Sequence, residues 1–130
     1  MSEVKGHRGY IASRPFFGER APQHVQNLVI RDYCSRRGLR YLLSATEYAM
    51  PGSSMMLQAV LDDSGNLGGI VLYSLFLLPA VASQRRAVYD KIFAAGGDLH
   101  GALEDFPIRD EDDVRRVEDL WLLKQFEARR

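Results

Sequence analysis

The sequence predicts a single α/β domain, and three observations support that fold class. Short apolar runs alternate four times with longer amphipathic runs, which is the pattern of successive strand–helix units. The third apolar run, Ile70 to Leu75, is apolar enough to be buried on both faces of a parallel sheet. A length of 130 residues suits one domain with a proper core and is too short for two. We predict a mainly parallel sheet of four strands in the order 2-1-3-4, with helices on both faces.

Turn-forming residues mark where the predicted elements begin and end. Residues 1–7 are a polar leader that we expect to be flexible, and Tyr10-Ile11-Ala12 predicts a short buried strand. Pro22 suits the first position of a helix, which Gly38 ends. Ser53 suits the cap of a second helix. The other predicted elements are strands over residues 39–44, 70–75 and 98–102 and a helix over residues 83–95.

The last predicted helix spans residues 110–127. Acidic residues crowd its first turn and basic residues lie near its end, as the helix dipole favours. Leu122 and Leu123 make its apolar arc wider than one sheet face needs, so the helix either packs deeply in a monomer or meets a second copy. We expect a homodimer formed through this helix. Its predicted inward stripe comprises Val114, Val117, Leu120, Trp121 and Phe126.

Composition and charge narrow the classes of function. Lysine plus arginine equals aspartate plus glutamate at 17 each, so no global field attracts a polyanion and we expect no nucleic-acid partner. Cys34 is the only cysteine, which excludes an internal disulfide and a cysteine-based metal site. The first residues lack the apolar core of a signal peptide, and the longest apolar stretch, residues 68–82, is too short to span a bilayer. We therefore expect a cytoplasmic protein without a membrane partner.

The predicted topology places the candidate site at one edge of the sheet. In open parallel sheets, ligands bind outside the carboxyl ends of the strands. The loops at that edge are residues 13–21, 45–52, 74–82 and 103–109. The candidate catalytic residues there are Ser13, His24 and His100. The candidate ligand-binding residues are Arg14, Arg20, Gln23, Glu47, Tyr48 and Ser74.

Each candidate has a functional interpretation and a structural one. Arg14 and Arg20 flank a helix start whose free N–H groups and dipole can hold a phosphate or carboxylate, or they form surface salt bridges. His24 or His100 would transfer a proton, or they are a solvated residue and a core imidazole respectively. Ser13 as a nucleophile would need a base beside it.

Two further expectations concern groups at this edge. Glu47 would bind hydroxyl groups of the ligand, unless it is a separate solvated carboxylate. A metal site built from His24, His100 and Glu104 would follow no metal-binding motif. We expect neither a metal nor a cofactor.

Three segments resemble the catalytic domain of serine recombinases, the resolvases and invertases. They are Gly9-Tyr10-Ile11-Ala12-Ser13-Arg14, Met50-Pro51-Gly52 ahead of a helical run, and Gly69-Ile70-Val71-Leu72-Tyr73-Ser74-Leu75. The resemblance covers roughly residues 9–108. It implies a resolvase-like or flavodoxin-like sheet, with a closing helix that pairs in a dimer.

This chain departs from the recombinase pattern where that family places charged groups. The family's first strand carries an arginine and then the nucleophilic serine, whereas Ser13 precedes Arg14 here. Met50 stands where the family has an arginine, and the apolar stretch 76–79 replaces one with an Asp-Arg pair. Phosphodiester transfer needs those guanidinium groups to hold the charged transition state. We therefore expect that the protein does not recombine DNA.

A nearer resemblance is to the sporadic carbohydrate cluster family, small uncharacterised proteins encoded among bacterial carbohydrate genes. The segments that carry it are residues 8–11, 22–27, 43–52 and 72–75. The resemblance implies a role in carbohydrate or surface-glycan biosynthesis, with a phosphorylated or nucleotide-linked sugar as ligand. Whether the protein transforms that ligand stays open. The alternatives are a recombinase-derived protein with a regulatory or DNA-associated role, and a non-catalytic scaffold for glycan enzymes.

Overall fold

A computed structural model describes residues 4–13, 15–18, 20–48 and 54–129 of the chain. Strands and helices alternate through most of its length. The strands are β1 His7–Ala12, β2 Tyr41–Glu47, β3 Gly69–Leu72, β4 Asp98–Gly101 and β5 Phe106–Ile108. The helices are α1 Gln23–Arg37, α2 Met55–Asp62, α3 Ala82–Ala94 and α4 Glu111–Ala128. The predicted α/β class is confirmed.

The sheet has five strands in the order β2-β1-β3-β4-β5. The first four are parallel to one another, as predicted, and β5 runs antiparallel to β4. The prediction of a four-stranded sheet was wrong in omitting β5, which lies inside the predicted loop 103–109. A turn with Asp105 in the left-handed region, φ 55°, reverses the chain between β4 and β5. Three residues that include Pro107 carry too little pattern to predict a strand.

Two strands extend beyond their predicted ends. β1 begins at His7, which is buried and pairs with Tyr41, so this residue belongs to the sheet and not to a flexible leader. β2 continues to Glu47, where a loop was predicted from Ala45. Its last residues, though polar, pair in register with the end of β1, with Ala12 opposite Glu47. Tertiary pairing therefore overrides the local sequence preference at this end of β2.

The bounds of α1 match the sequence prediction closely. Pro22 is its N-cap, and Gly38 follows its last turn in the left-handed conformation with φ 67°. The Gly38 N–H donates to the Ser35 carbonyl at 3.3 Å and closes that turn. The Ser53 cap predicted for α2 lies outside the described residues, as do Arg14 and Met50-Pro51-Gly52.

α4 packs on the core through a narrower stripe than predicted. Val114, Val117 and Trp121 are buried, whereas Leu120 and Phe126 are 37% and 61% exposed. The prediction that Leu120 and Phe126 face inward was wrong. With 3.6 residues per turn, a stripe through the three buried residues leaves Leu120 on its flank and Phe126 well outside it. No helix in the described part of the chain is long and apolar enough to cross a bilayer.

α3 and α4 are joined by a buried arginine. Arg85 donates two hydrogen bonds of 2.8 Å to the carboxylate of Glu118 and two more to the carbonyls of Pro79 and Ala80. Its guanidinium group also lies 4.4 Å from the ring centre of Trp121. The arginine fixes both helices to the segment that follows β3.

Candidate functional site

An open cleft lies at the carboxyl end of β1, beside the start of α1. The cleft has a volume of about 360 Å³ and is lined by Ser13, Arg20, Ala21, Pro22 and Gln23. The Nη2 atom of Arg20 donates a hydrogen bond of 3.4 Å to the Ser13 carbonyl. Three of the residues predicted from sequence, Ser13, Arg20 and Gln23, are therefore gathered at one place.

The start of α1 presents unsatisfied donors to this cleft. The N–H groups of Val25 and Gln26 donate to the Pro22 carbonyl, each at 3.0 Å. No side chain caps the helix, and its first turn has no acidic residue. The N–H groups of Gln23 and His24 come before these bonds and lack intrahelical acceptors, and the helix dipole makes this end partially positive. The exposed guanidinium of Arg20 adds a full positive charge.

Gln26 holds the two sides of the cleft together. Its amide accepts a hydrogen bond of 3.0 Å from the Ala12 N–H and donates to the Ala12 carbonyl at 2.7 Å. The same amide nitrogen donates to the Ala21 carbonyl at 2.8 Å. Sequence reasoning missed this buried residue. The available signal was a polar side chain at helical spacing from the buried Ile30 and Tyr33.

Glu47 has a structural role that the sequence did not reveal. The residue is only 2% exposed, and its carboxylate accepts hydrogen bonds from the Tyr10 hydroxyl at 2.9 Å and the Leu57 N–H at 3.2 Å. The Met56 N–H donates to the same carboxylate at 3.1 Å. A carboxylate at a helix N-terminus satisfies the free N–H groups and interacts favourably with the dipole. Glu47 therefore anchors the start of α2, and the expectation that it binds ligand hydroxyls was wrong.

Ser74 is likewise committed to the fold. It is fully buried, and its hydroxyl donates to Glu104 at 2.7 Å and accepts from the Phe76 N–H at 3.1 Å. The other oxygen of Glu104 accepts from the Leu75 N–H at 2.8 Å. Together they fix the turn that follows β3. The prediction that Ser74 contacts a ligand was wrong because these partners use its hydroxyl.

The two histidine candidates have separate surroundings. His100 is 1% exposed and hydrogen-bonds to Tyr33 and Asp98, near the amino ends of the strands. Its assignment to the carboxyl edge was therefore wrong. Its surroundings agree with the alternative interpretation, a histidine whose imidazole is hydrogen-bonded within the core. His24 lies exposed in the first turn of α1, beside the cleft residue Gln23.

The two remaining predicted residues are Tyr48 and Arg14. Tyr48 follows β2 and is 68% exposed. Arg14, predicted to hold an anion, lies outside the described residues.

An aromatic cluster includes Phe17, which lies in the segment between the cleft residues Ser13 and Arg20. Phe17 lies with its ring centre 5.6 Å from that of Phe76 and 5.5 Å from that of Trp121. Phe17 adopts φ 48°, in the left-handed region that bulky residues rarely occupy, so this packing holds strained backbone. Lys124 lies over both phenyl rings, 5.8 Å and 5.6 Å from their centres. The segment after β3, where recombinases place an Asp-Arg pair, is thus part of an apolar cluster.

Comparison with known proteins supports the fold and leaves the family open. No protein-family profile matches the chain, and no curated protein matches its sequence. Among solved structures, the chain is similar to the N-terminal catalytic domain of TP901-1 integrase, with a TM-score of 0.65 and 16% sequence identity. The similarity covers 94% of this chain and 97% of that domain. Identity at this level shows the fold alone, and the resemblance to carbohydrate-cluster proteins gains no support from these comparisons. The chain has a resolvase-like fold.

Proposed function

We propose that the protein binds a phosphorylated small molecule, a sugar phosphate or nucleotide-linked sugar, in the cleft at the carboxyl end of β1. The observation that carries the proposal is that the uncapped start of α1 and the guanidinium of Arg20 line the same cleft. The carbohydrate part of the proposal depends on the family resemblance found in the sequence.

The chemistry of the cleft suits a phosphate group. An anion at a helix N-terminus gains about 0.3–1 kcal/mol from the dipole when the site is exposed. A hydrogen bond from an arginine to a phosphate oxygen is charge-assisted and stronger than a neutral one. The volume of about 360 Å³ lies near the lower end of the range for small-ligand sites, roughly 300–1,000 Å³. That size favours a monosaccharide phosphate over a complete nucleotide-linked sugar.

The geometry supports binding more than nucleophilic catalysis. The Ser13 hydroxyl donates to the Glu47 carbonyl at 3.3 Å. Among the described residues, no imidazole or carboxylate accepts a hydrogen bond from that hydroxyl. A serine nucleophile needs such a base. We therefore assign Ser13 to ligand binding, together with Arg20 and Gln23.

A thermal-shift panel followed by titration tests this proposal. Purified protein is mixed with sugar phosphates, nucleotide-linked sugars and the same sugars without phosphate, and the best ligand is titrated into variants. We expect Arg20→Ala to weaken binding by about tenfold to 100-fold, because a hydrogen bond to a charged group contributes about 1.5–3 kcal/mol. Arg31→Ala, an exposed arginine farther along α1, is the matched control and should bind as the parent does. Arg14→Ala tests the second predicted arginine.

Two results would contradict the proposal. One is a panel in which unphosphorylated sugars stabilise the protein as much as their phosphates do. The other is an Arg20→Ala variant that folds and binds as tightly as the parent.

The fold favours a second candidate, a DNA-associated protein derived from a recombinase. The integrase domain that this chain resembles is the observation behind it. Fluorescence anisotropy with duplex DNA separates the two candidates. We expect no binding near physiological salt. Binding whose affinity falls steeply as salt rises would favour the DNA-associated candidate, because phosphate contacts release counterions.

We also propose that two copies of the chain pair through α4. A groove of about 500 Å³ runs along its exposed side, lined by Asp119, Leu122, Leu123, Gln125, Phe126 and Arg129. If two antiparallel copies cross near Lys124, Leu122 of each copy faces Phe126 of the other. The same arrangement brings Asp119 of one copy opposite Arg129 of the other. This charge complementarity makes the groove self-complementary, as a two-fold interface requires.

Light scattering at micromolar concentration tests the dimer. We expect a mass near twice the chain mass of 14.7 kDa, and a return to the single mass in Leu122→Glu combined with Leu123→Glu. Leu43→Glu changes an 81% exposed leucine on β2 and serves as the control that stays dimeric. A monomeric parent, or a dimer that survives both α4 substitutions, would show that α4 does not form the interface.

A further inference from the structure

Three side chains from two strands converge at the amino end of the sheet, opposite the cleft. His7 and His100 each place Nε2 against the same carboxylate oxygen of Asp98, at 2.7 Å and 2.9 Å. One potential ligand atom from each residue lies within 4.8 Å of those of the other two. Strand register produces this meeting, because His7 and Asp98 both lie opposite Gly69 on either side of β3.

Two glycines leave the room in which these groups meet. A Cβ atom at Gly69 would collide with the Asp98 oxygen that both imidazoles contact. A Cβ atom at Gly68 would lie 2.9 Å from Cε1 of His7. Side chains at either position would therefore push the imidazole and the carboxylate out of their present places. The absence of side chains at Gly68 and Gly69 therefore makes room for this cluster.

Hydrogen bonding within the described residues does not satisfy the cluster. The Nδ1 atom of His7 is buried without a hydrogen-bond partner, and the residue as a whole is 6% exposed. A buried polar atom left unpaired costs about 1–3 kcal/mol, and such atoms in native proteins call for an explanation. His7 therefore keeps an unpartnered ring nitrogen in a cluster that also holds a carboxylate and a second imidazole.

The Asp98 carboxylate gives the cluster its access to solvent. The Asp98 side chain is 28% exposed, whereas that of His100 is 1% exposed. The cluster is therefore reachable from solvent on the side of the carboxylate.

We propose that His7, Asp98 and His100 bind a divalent transition-metal ion through one ring nitrogen of each histidine and a carboxylate oxygen. Imidazole nitrogens favour zinc and its neighbours over magnesium and calcium, which take oxygen ligands. Three protein ligands leave a coordination position for water, and the exposed side of Asp98 gives it access. This proposal replaces the expectation of no metal site, which had considered His100 only together with His24 and Glu104.

Tyr33 supplies the orienting contact that metal-bound histidines usually have. Its hydroxyl lies 2.6 Å from Nδ1 of His100. With Nε2 on the metal, His100 Nδ1–H donates to the Tyr33 oxygen and fixes the ring. Each histidine binds the ion through a nitrogen lone pair, so a proton on that nitrogen must first move to the other ring nitrogen or to solvent.

Titration of tag-free, EDTA-treated protein with Zn²⁺, and with Co²⁺ as a spectroscopic probe, tests the site. Calorimetry should show one ion per chain. His7→Gln and Asp98→Asn should abolish stoichiometric binding. Tyr33→Phe should weaken it by about tenfold to 100-fold. His24→Gln removes the only other histidine, which is exposed on α1, and should bind as the parent does.

A second measurement needs no substitution. Nitrogen-15 NMR of the parent protein during Zn²⁺ titration should shift the ring signals of His7 and His100 and leave those of His24 in place. Absence of saturable binding would overturn the proposal. It would also be overturned by one-to-one binding that survives His7→Gln, or by NMR shifts confined to His24.

Discussion

The buried guanidinium of Arg85 should dominate the coupling between α3 and α4, and its removal tests that directly. Arg85→Ala deletes both hydrogen bonds to Glu118, both bonds to backbone carbonyls and the contact with Trp121. Removing one partner of a buried ion pair typically costs about 3–5 kcal/mol. Glu118 is 31% exposed and can recover part of its hydration, so we expect about 3 kcal/mol, at the lower end of that range.

The neighbouring arginine provides a matched control. Arg86 forms ion pairs with Asp90 and Glu111, but its side chain is 44% exposed. Surface pairs of this kind contribute about 0–1 kcal/mol. Arg86→Ala therefore makes the same chemical change one position later on the same helix. We expect it to lower the free energy of unfolding much less than Arg85→Ala does.

Urea unfolding followed by circular dichroism measures the loss of unfolding free energy in both variants. In thermal unfolding, a loss of about 3 kcal/mol in a domain of this size corresponds to a fall in the melting temperature of roughly 10 °C. Arg85→Lys should lose nearly as much, because an ammonium group cannot form the paired hydrogen bonds of the guanidinium. The reasoning is refuted if Arg85→Ala costs no more than Arg86→Ala.

Three further predictions concern buried or partly buried side chains. Burial raises the pKa of Glu118, but hydrogen bonds from Arg85 and Tyr89 outweigh it and lower the pKa, so the unfolded chain binds this proton more readily. The contribution of Glu118 to the free energy of unfolding is present above about pH 4 and is lost as the pH falls below that value. In urea titrations, the free energy of unfolding of Glu118→Gln should therefore fall less steeply with decreasing pH than that of the parent. Burial raises the pKa of Cys34 to about 11, so an aromatic disulfide reagent at pH 8 should label the folded protein slowly and the urea-unfolded protein at once. Glu104→Gln leaves the Ser74 hydroxyl or the Leu75 N–H with a poorer acceptor and should cost about 1–3 kcal/mol in thermal or urea unfolding, whereas no loss would show that the turn is held by other contacts.

The sequence was most informative where local signals and tertiary structure agree. Pro22 and Gly38 bound α1 because both residues act through their own backbone geometry. The end of β2 and all of β5 escaped prediction because pairing with a neighbouring strand, not local preference, makes them strands. His7 was assigned to a leader for the same reason, since only its partners on β2 and β3 show that it belongs to the sheet.

The candidate site was predictable to the extent that topology alone determines it. Ser13, Arg20 and Gln23 meet because a strand end and the next helix start are adjacent in this fold. Glu47 and Ser74 also lie near the carboxyl ends of strands, yet both turn inward. Their direction depends on partners distant in sequence, the start of α2 for one and Glu104 for the other, and no local pattern shows such partners.

The aromatic contacts of Phe17 would link the proposed cleft ligand to the proposed dimer. This residue lies between the cleft residues Ser13 and Arg20, and its ring packs on Trp121 of α4. If two copies pair through α4 as proposed, a movement of α4 on pairing would reach the loop that carries Arg20 through this contact. Linkage then requires reciprocity: a cleft ligand that tightens self-association by some factor is itself bound more tightly by the dimer by the same factor. Ligand affinity measured at nanomolar and at micromolar chain concentrations would report that coupling without any substitution.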